Sequence, residues 1–249
     1  MPKVSVVMSC YNEEKTVAKA IESILAQSFD DFEFIIVDDG SEDQTLDILN
    51  SYGKKDHRVK ILRNDQNLGL AASLNIGINE AVGQYICRMD ADDESLKHRL
   101  EIQNDYLDQN PDVDILGTNA FLIHDERVSS ESDMLLSHQE IYRNRYKKTM
   151  VIHPTVMIRK VCFDNGQYDP NLKWAEDKDL WLRWIDEFTF ANIPNPLLKY
   201  TIKDRLSLNI FKQNHYVLLK NMRQRGEFFS HFHQFIRSIL SHLYKMSFR

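Results

Sequence analysis

Short apolar runs at residues 4–8, 32–37, 59–62 and 85–88 alternate with longer segments whose apolar residues recur at helical spacing. This alternation limits the fold more than any other feature. A strand, a helix and a second strand in the same direction form a βαβ unit, and repeating the unit builds a parallel sheet covered by helices. The run at 4–8 is apolar enough for a strand buried on both faces. Residues 14–27 carry Val17, Ile21, Ile24 and Leu25 on one helical face. Further helices are expected over 44–52, 70–81 and 96–109, and a fifth strand over 113–117. At 249 residues the chain can bury such a core as one large α/β domain with additions.

Acidic residues gather just past these strands, where open α/β sheets bind ligands. Asp38 and Asp39 precede Gly40, which permits a sharp turn, and Ser41 or Asp43 can cap the next helix. The two aspartates are read as contacts to a ligand's polar edge, against the alternative that they only shape the turn. The loop from Asn64 to Gly69 can cradle phosphate, yet no G-x-G-x-x-G is present, which counts against a dinucleotide dehydrogenase. The densest cluster is Arg88-Met-Asp-Ala-Asp-Asp93. Hard oxygen ligands at this density suit Mg²⁺ or Mn²⁺, ions that hold one or two protein carboxylates and complete their shells with substrate phosphate and water. A phosphorylated substrate is therefore expected. The plainer alternative is a solvated loop in which Asp93 or Ser95 caps the following helix.

Beyond residue 118 the rhythm breaks. Residues 120–150 are polar and irregular, with a mobile loop expected at 129–132 and a helix at 137–146, an arrangement suited to a substrate lid. His153 precedes a short strand at 156–158 and is either a structural histidine or a donor to phosphate or metal. In the segment 174–184, helical spacing turns Leu180, Trp181, Trp184 and Ile185 towards a core and leaves Glu176 and Asp177 at the helix start. A carboxylate placed there can act as general base, although helix starts are often acidic without function. Closing strands are expected at 188–193 and 196–200.

Charge is unevenly distributed. Residues 201–249 carry nine lysines and arginines against Asp204 and Glu227, a charge of +7 that leaves −13 on residues 1–200. An acidic body argues against nucleic acid as a partner, while the basic end suits an anionic surface. After Gly226, Phe228, Phe229, Phe232, Phe235, Ile236, Ile239, Leu240 and Leu243 form an apolar helical stripe. This stripe is read as meeting a membrane interface, with packing on the body or on a second subunit as the alternatives. His231 and His233 lie on opposite sides of such a helix and are incidental. No run is long enough to cross a bilayer and no leader segment is evident, so a cytoplasmic location is expected. Cys10, Cys87 and Cys162 read as reduced core thiols.

Six motifs in order carry a resemblance. They are Val4-Ser-Val-Val-Met-Ser-Cys-Tyr-Asn12, Val37-Asp-Asp-Gly-Ser41, Asn67-Leu-Gly69, Arg88-Met-Asp-Ala-Asp-Asp93, His153-Pro-Thr-Val-Met157 and Ala175-Glu-Asp-Lys-Asp-Leu-Trp181. Together, over about residues 3–200, they resemble the inverting family 2 glycosyltransferases of the GT-A fold. The nearest likeness is to bacterial members that build O-antigen, capsule and exopolysaccharide. The resemblance implies a mostly parallel central sheet flanked by helices, with a C-terminal helical extension. Residues 1–118 would form the nucleotide-sugar half, 119–204 the acceptor and catalytic-base half, and 205–249 the basic amphipathic extension.

The resemblance also implies roles. Ser9, Tyr11 and Asp39 match positions that hold the nucleotide base, with Asp38 nearby. Asp90 matches a position near ribose and metal, and Asp92 the metal-binding aspartate of the D-x-D motif, with Mn²⁺ or Mg²⁺ as the ion. Asp177 matches the catalytic base, Glu176 supports it, and His153 is placed to reach the phosphates. The Gln-x-x-Arg-Trp signature of processive synthases is absent, because Leu180 stands four residues before Trp184. Thr201 replaces an arginine that relatives often carry after the tyrosine matching Tyr200, and Lys203 or Arg205 are its candidate substitutes. The implied activity is non-processive transfer of one sugar from a nucleotide-diphosphate donor, a UDP-sugar by preference. The implied acceptor is a glycan on a polyprenyl diphosphate at the inner face of the cell membrane, with oligomeric state left open. A sugar-phosphate nucleotidylyltransferase and a catalytically silent membrane-associated module are the alternative readings.

Overall fold

The computed structural model describes residues 1–203, 208–228 and 236. Its amino-terminal half follows the βα rhythm: β1 (Val4–Cys10), α1 (Val17–Leu25), β2 (Phe32–Asp38), α2 (Thr45–Lys55), β3 (Val59–Arg63), α3 (Leu70–Glu80) and β4 (Tyr85–Asp90). The strands β3, β2, β1 and β4 lie side by side and are parallel. Side chains alternate across β1: Val4, Val6 and Met8 join a core with α1 and α4 (Arg99–Gln109), and Val7 joins a core with α3 on the other face. Both faces are thus buried, as a continuous apolar run requires.

The remaining strands are β5 (Glu94–Ser95), β6 (Ile115–His124), β7 (Arg127–Glu131), β8 (Met157–Arg159) and β9 (Phe190–Thr201), interspersed with α5 (His138–Asn144) and α6 (Glu176–Trp184). Here antiparallel strands join the parallel ones. β8 runs antiparallel between β4 and β6, β9 runs parallel to β6, and β5 and β7 are antiparallel additions. The reversal follows from connectivity, since β8 enters from the loop over the cleft instead of from a crossover helix. Three local expectations are corrected. Residues 129–132 are not a loop, because residues 127–131 pair with β6 as a hairpin. Neither Asp93 nor Ser95 caps α4, which begins at Arg99 after His98; residues 94–95 pair with β9 instead. The two closing strands are one, β9, whose pairing is interrupted near Pro194 and Pro196.

Leu180, Trp181, Trp184 and Ile185 are buried as their spacing requires, with Phe163, Phe188 and Phe190 set edge-on against the tryptophans. The helix α7 (Leu208–Gln224) packs on α6 through Val217, Leu218 and Met222. Its polar side chains reach α6 as well, with Lys220 3.4 Å from Asp179 and Gln213 accepting the Trp174 N–H at 3.1 Å. Gly226 adopts positive φ just past this helix, where the chain was expected to break. The helix expected after Gly226, with most of its aromatic stripe and His231 and His233, falls outside the described residues. Among the described residues no helix is long and apolar enough to cross a membrane. Cys10, Cys87 and Cys162 are buried and unpaired.

Candidate active site

The carboxyl ends of β1, β2 and β4 open into a cleft of about 580 Å³, closed on the far side by the loop 173–177 and the end of β9. A larger, more open concavity of about 780 Å³ lies at the amino ends of the strands around Asp30, Lys55 and Arg58. It holds ordinary surface ion pairs such as Arg58 with Asp56, whereas the acidic loop, the start of α6 and the left-handed Ala175 line the first cleft.

One wall is built by loop-to-loop hydrogen bonds. Asn12 takes positive φ and throws Tyr11, 40% exposed, out to the cleft mouth. Its neighbours are pinned to the β2–α2 loop, with the Asn12 N–H on Ser41 Oγ at 3.0 Å and the Glu13 N–H on Thr45 Oγ1 at 2.8 Å. Asp39 is 2% exposed and accepts three hydrogen bonds, from Asn64 Nδ2 and the backbone N–H groups of Leu68 and Gly69, at 2.8 to 2.9 Å. Its carboxylate therefore moulds the 64–69 loop while lining the cleft. Gly40 makes that closure sterically feasible: φ is +74°, and a Cβ there would lie 2.7 Å from the Gln66 carbonyl carbon. Ser9 also lines the cleft, whereas Asp38 turns away, accepting the Ser41 N–H and facing Arg63 at 3.6 Å.

The acidic loop forms the floor. Oxygens of Asp90, Asp92 and Asp93 lie within 4.8 Å of one another. The three are not equivalent. Asp93 is buried and accepts the Thr201 N–H at 2.8 Å; burial, together with the Asp90 charge, raises its pKa to about 9. Asp90 is paired with Arg88, a guanidinium 3% exposed that supplies positive charge beneath the cleft. Asp92 is held by Lys203, whose Nζ sits 2.7 Å from Asp92 Oδ2 and 3.0 Å from Glu13 Oε1. Burial works against the Lys203 charge, but these two carboxylates outweigh it and raise its pKa.

The opposite wall is the start of α6. Ala175 holds a left-handed φ of 62° immediately before Glu176 and Asp177. Such strain in a non-glycine residue costs about 1–3 kcal/mol and is often found at functional sites. Burial raises the pKa of both carboxyls, and the charge of Asp177 helps push Glu176 up to about 8. Arg88 draws both back towards ionisation, and Lys178 does so for Asp177. His153 is buried and held neutral by burial and by the nearby Arg88 charge. Its Nε2 lies 2.8 Å from the Tyr168 hydroxyl and its Nδ1 3.9 Å from Glu176 Oε1.

The structure thus brings Ser9, Tyr11, Asp39, Asp90, Asp92, His153, Glu176 and Asp177 to one cleft and leaves Asp38 just outside it. The residue signals missed Lys173, Arg88 and Tyr168. Arg88 carried a signal in standing next to three carboxylates. Tyr168 carried none.

The family model for glycosyl transferase family 2 matches residues 5–165. An uncharacterized glycosyltransferase of Methanocaldococcus jannaschii is 37% identical over 209 residues, covering 82% of this chain and 72% of the relative. The O-antigen biosynthesis glycosyltransferase WbnJ of Escherichia coli is 33% identical over 207 residues, covering 81% and 80%. Among solved structures, TarS 1–349 of S. aureus in complex with UDP superposes with a TM-score of 0.72 at 22% identity, covering 88% of this chain and 65% of that one. The mannosyltransferase PcManGT of Pyrobaculum calidifontis, in complex with GDP-Man and Mn²⁺, gives 0.68 at 14% identity, covering 99% and 75%. At these identities the two structures establish the fold, which is GT-A.

Proposed function

Because the chain belongs to glycosyl transferase family 2, we propose that its cleft binds a nucleotide-diphosphate sugar and passes the sugar, with inversion and one unit at a time, to an acceptor hydroxyl. The observation that carries this reading is the presence of two differently tuned carboxylate groups in one cleft. Asp90 and Asp92 offer hard oxygens at the mouth of the acidic loop, and Asp177 is a carboxylate of raised proton affinity at the start of α6.

The acidic loop fits a divalent ion, since one oxygen from each of three carboxylates converges there and Asp93 Oδ2 is buried without a hydrogen-bond partner. Asp92, with Asp90, would hold Mn²⁺ or Mg²⁺; when bound, such an ion offsets the charge of a diphosphate. Asp93 is better suited to holding the loop against β9. Tyr11 presents its ring at the cleft mouth for a nucleobase, beside Ser9 and the loop that Asp39 shapes. Asp177 accepts the proton of the acceptor hydroxyl as that oxygen bonds to the anomeric carbon and the bond from this carbon to the phosphate oxygen breaks. Glu176 supports the base. Burial of both carboxyls matches their proton affinity to this task more closely than solvent would.

We read the donor as a UDP-sugar, in line with the nucleotide bound by TarS. We read the acceptor as a growing glycan on a polyprenyl diphosphate carrier, in line with the O-antigen relative. Residues 1–118 would then serve the donor and 119–204 the acceptor, and the basic residues 205–249 would meet the inner membrane surface. The test is calorimetric titration of UDP, GDP and dTDP, with and without Mn²⁺, into the wild type and Asp92→Ala. Manganese-dependent binding of one nucleotide, lost in Asp92→Ala, is the expected result. Asp177→Asn should then abolish transfer and leave that binding within about twofold. Folded protein that binds no nucleotide would overturn the reading in favour of a silent interaction module.

A further inference from the structure

Behind the α6 carboxylates lies a buried polar chain that the proposed reaction does not yet use. Tyr168 sits on the segment after residue 165, and an amide clamp fixes its backbone: Asn75 Nδ2 donates to the Tyr168 carbonyl at 2.9 Å, and the Tyr168 N–H donates to Asn75 Oδ1 at 3.1 Å. Asn75 belongs to α3, so the tyrosine is anchored to the nucleotide half of the sheet. Its hydroxyl meets His153 Nε2 at 2.8 Å, and the imidazole is wedged edge-on against Trp181 with ring centroids 6.0 Å apart. The other ring nitrogen, Nδ1, faces Glu176 Oε1 at 3.9 Å. All three side chains are buried, with His153 and Glu176 at the cleft wall.

We propose that Tyr168 and His153 are positioning residues for sugar transfer: the Tyr168 O–H holds Nε2 of His153, and the Nδ1–H of that ring orients the Glu176 carboxylate beside Asp177. A neutral imidazole has one donor and one acceptor nitrogen. Above about pH 8 Glu176 is ionised, and a bare lone pair facing its carboxylate would be repelled, which there places the proton on Nδ1 and makes Nε2 the acceptor of the tyrosine hydroxyl. The buried Arg88 guanidinium, set among the same groups, opposes a second proton on the ring. The effect is that Glu176 cannot swing into the acceptor's place, and Asp177 keeps its aim. This inference rests on the transferase reading above.

Nitrogen-15 NMR of the wild type above pH 8 should show His153 protonated at Nδ1 and bare at Nε2; the opposite tautomer would overturn the proposal. Tyr168→Phe should lower kcat about tenfold with the donor KM unchanged within about twofold. The two amides separate positioning from simple packing. His153→Asn can keep a donor where Nδ1 stood, and His153→Gln can keep a group only where Nε2 stood, so the asparagine variant should retain the higher kcat. Wild-type kcat in Tyr168→Phe, or a glutamine variant at least as active as the asparagine one, would sink the relay. If Tyr168→Phe fails to fold, the His153 pair and the NMR tautomer decide. Wild-type protein that transfers no sugar from any nucleotide donor would instead fail the transferase reading, which the NMR result does not touch.

Discussion

Lys203 Nζ lies 2.7 Å from Asp92 Oδ2, so a lysine just past the end of β9 neutralises the aspartate proposed above to hold a metal ion. Glu13 receives the same ammonium at 3.0 Å, which joins the β1–α1 loop to this contact. A cation arriving at Asp92 must compete with one the protein already supplies, and a diphosphate arriving with it offers Lys203 a new partner.

Lys203→Met should therefore strengthen Mn²⁺ binding in the absence of nucleotide and weaken nucleotide binding in its presence. Both groups retain some solvent contact, so the change is roughly fivefold in each direction. Calorimetric or EPR titration of Mn²⁺ with and without UDP measures it, and unchanged metal affinity would mean that the lysine is only a surface partner.

Activity should depend on pH through the α6 carboxyls. A base must be ionised to act, and burial raises the proton affinity of both Asp177 and Glu176, the latter to about 8. The acidic limb of kcat/KM should thus lie well above the ordinary carboxylate range of roughly 4 to 4.5. Glu176 is lifted by the Asp177 charge and so still holds its proton as Asp177 ionises; Glu176→Gln should therefore leave that limb in place while lowering kcat. A limb that moves to lower pH would assign the titration to Glu176 itself.

Asp93 predicts a pH-dependent stability of defined sign. Its folded pKa of about 9 exceeds the unfolded value of 3.8, so the folded state binds more protons between these limits. Its contribution is fully favourable below the unfolded pKa and is lost as pH rises through the folded one. Asp93→Asn keeps an acceptor for the Thr201 N–H and has no proton to lose. In chelator-treated protein the variant should gain stability relative to wild type from pH 5 to pH 9, by up to about 1 kcal/mol per pH unit. Urea unfolding at the two pH values tests this, and a constant difference would refute it.

Gly40→Ala should disturb the cleft wall that Asp39 shapes without touching a charged group. The added Cβ would meet the Gln66 backbone at 2.7 Å on a residue held at φ +74°. The expected destabilisation is roughly 1–3 kcal/mol, together with weaker nucleotide binding as the 64–69 loop shifts from Asp39. Thermal unfolding and UDP titration report the two effects; wild-type values in both would show that the loop relaxes freely.

Much of the amino-terminal half was legible from residues alone because its determinants are local. Strand and helix periods are written within a few residues of one another, and Asp38, Asp39 and Asp90 fall at strand ends whichever partners those strands choose. The same holds for the start of α6, where helical spacing by itself sets Trp181 and Trp184 inward and Glu176 at the first turn. What went wrong was equally physical. Residues 94–95 and 127–131 are strands only because β9 and β6 offer them free edges, and no short window contains those edges.

The sequence by itself therefore determined the repeating βα layer, the acid-rich carboxyl ends of its strands and the set of residues eligible for chemistry. Only the tertiary structure decided how those residues divide the work. Asp92 and Asp93 look alike in the chain, yet one meets Lys203 at the cleft and the other is buried against Thr201, whose hydroxyl also donates to the Asp92 carbonyl from 109 residues away. Likewise, Tyr168 gained its place only when α3 and the loop after residue 165 packed together around His153. The physical reason is that backbone conformation is largely a local preference, whereas ionisation and orientation depend on burial and on charges brought near by folding.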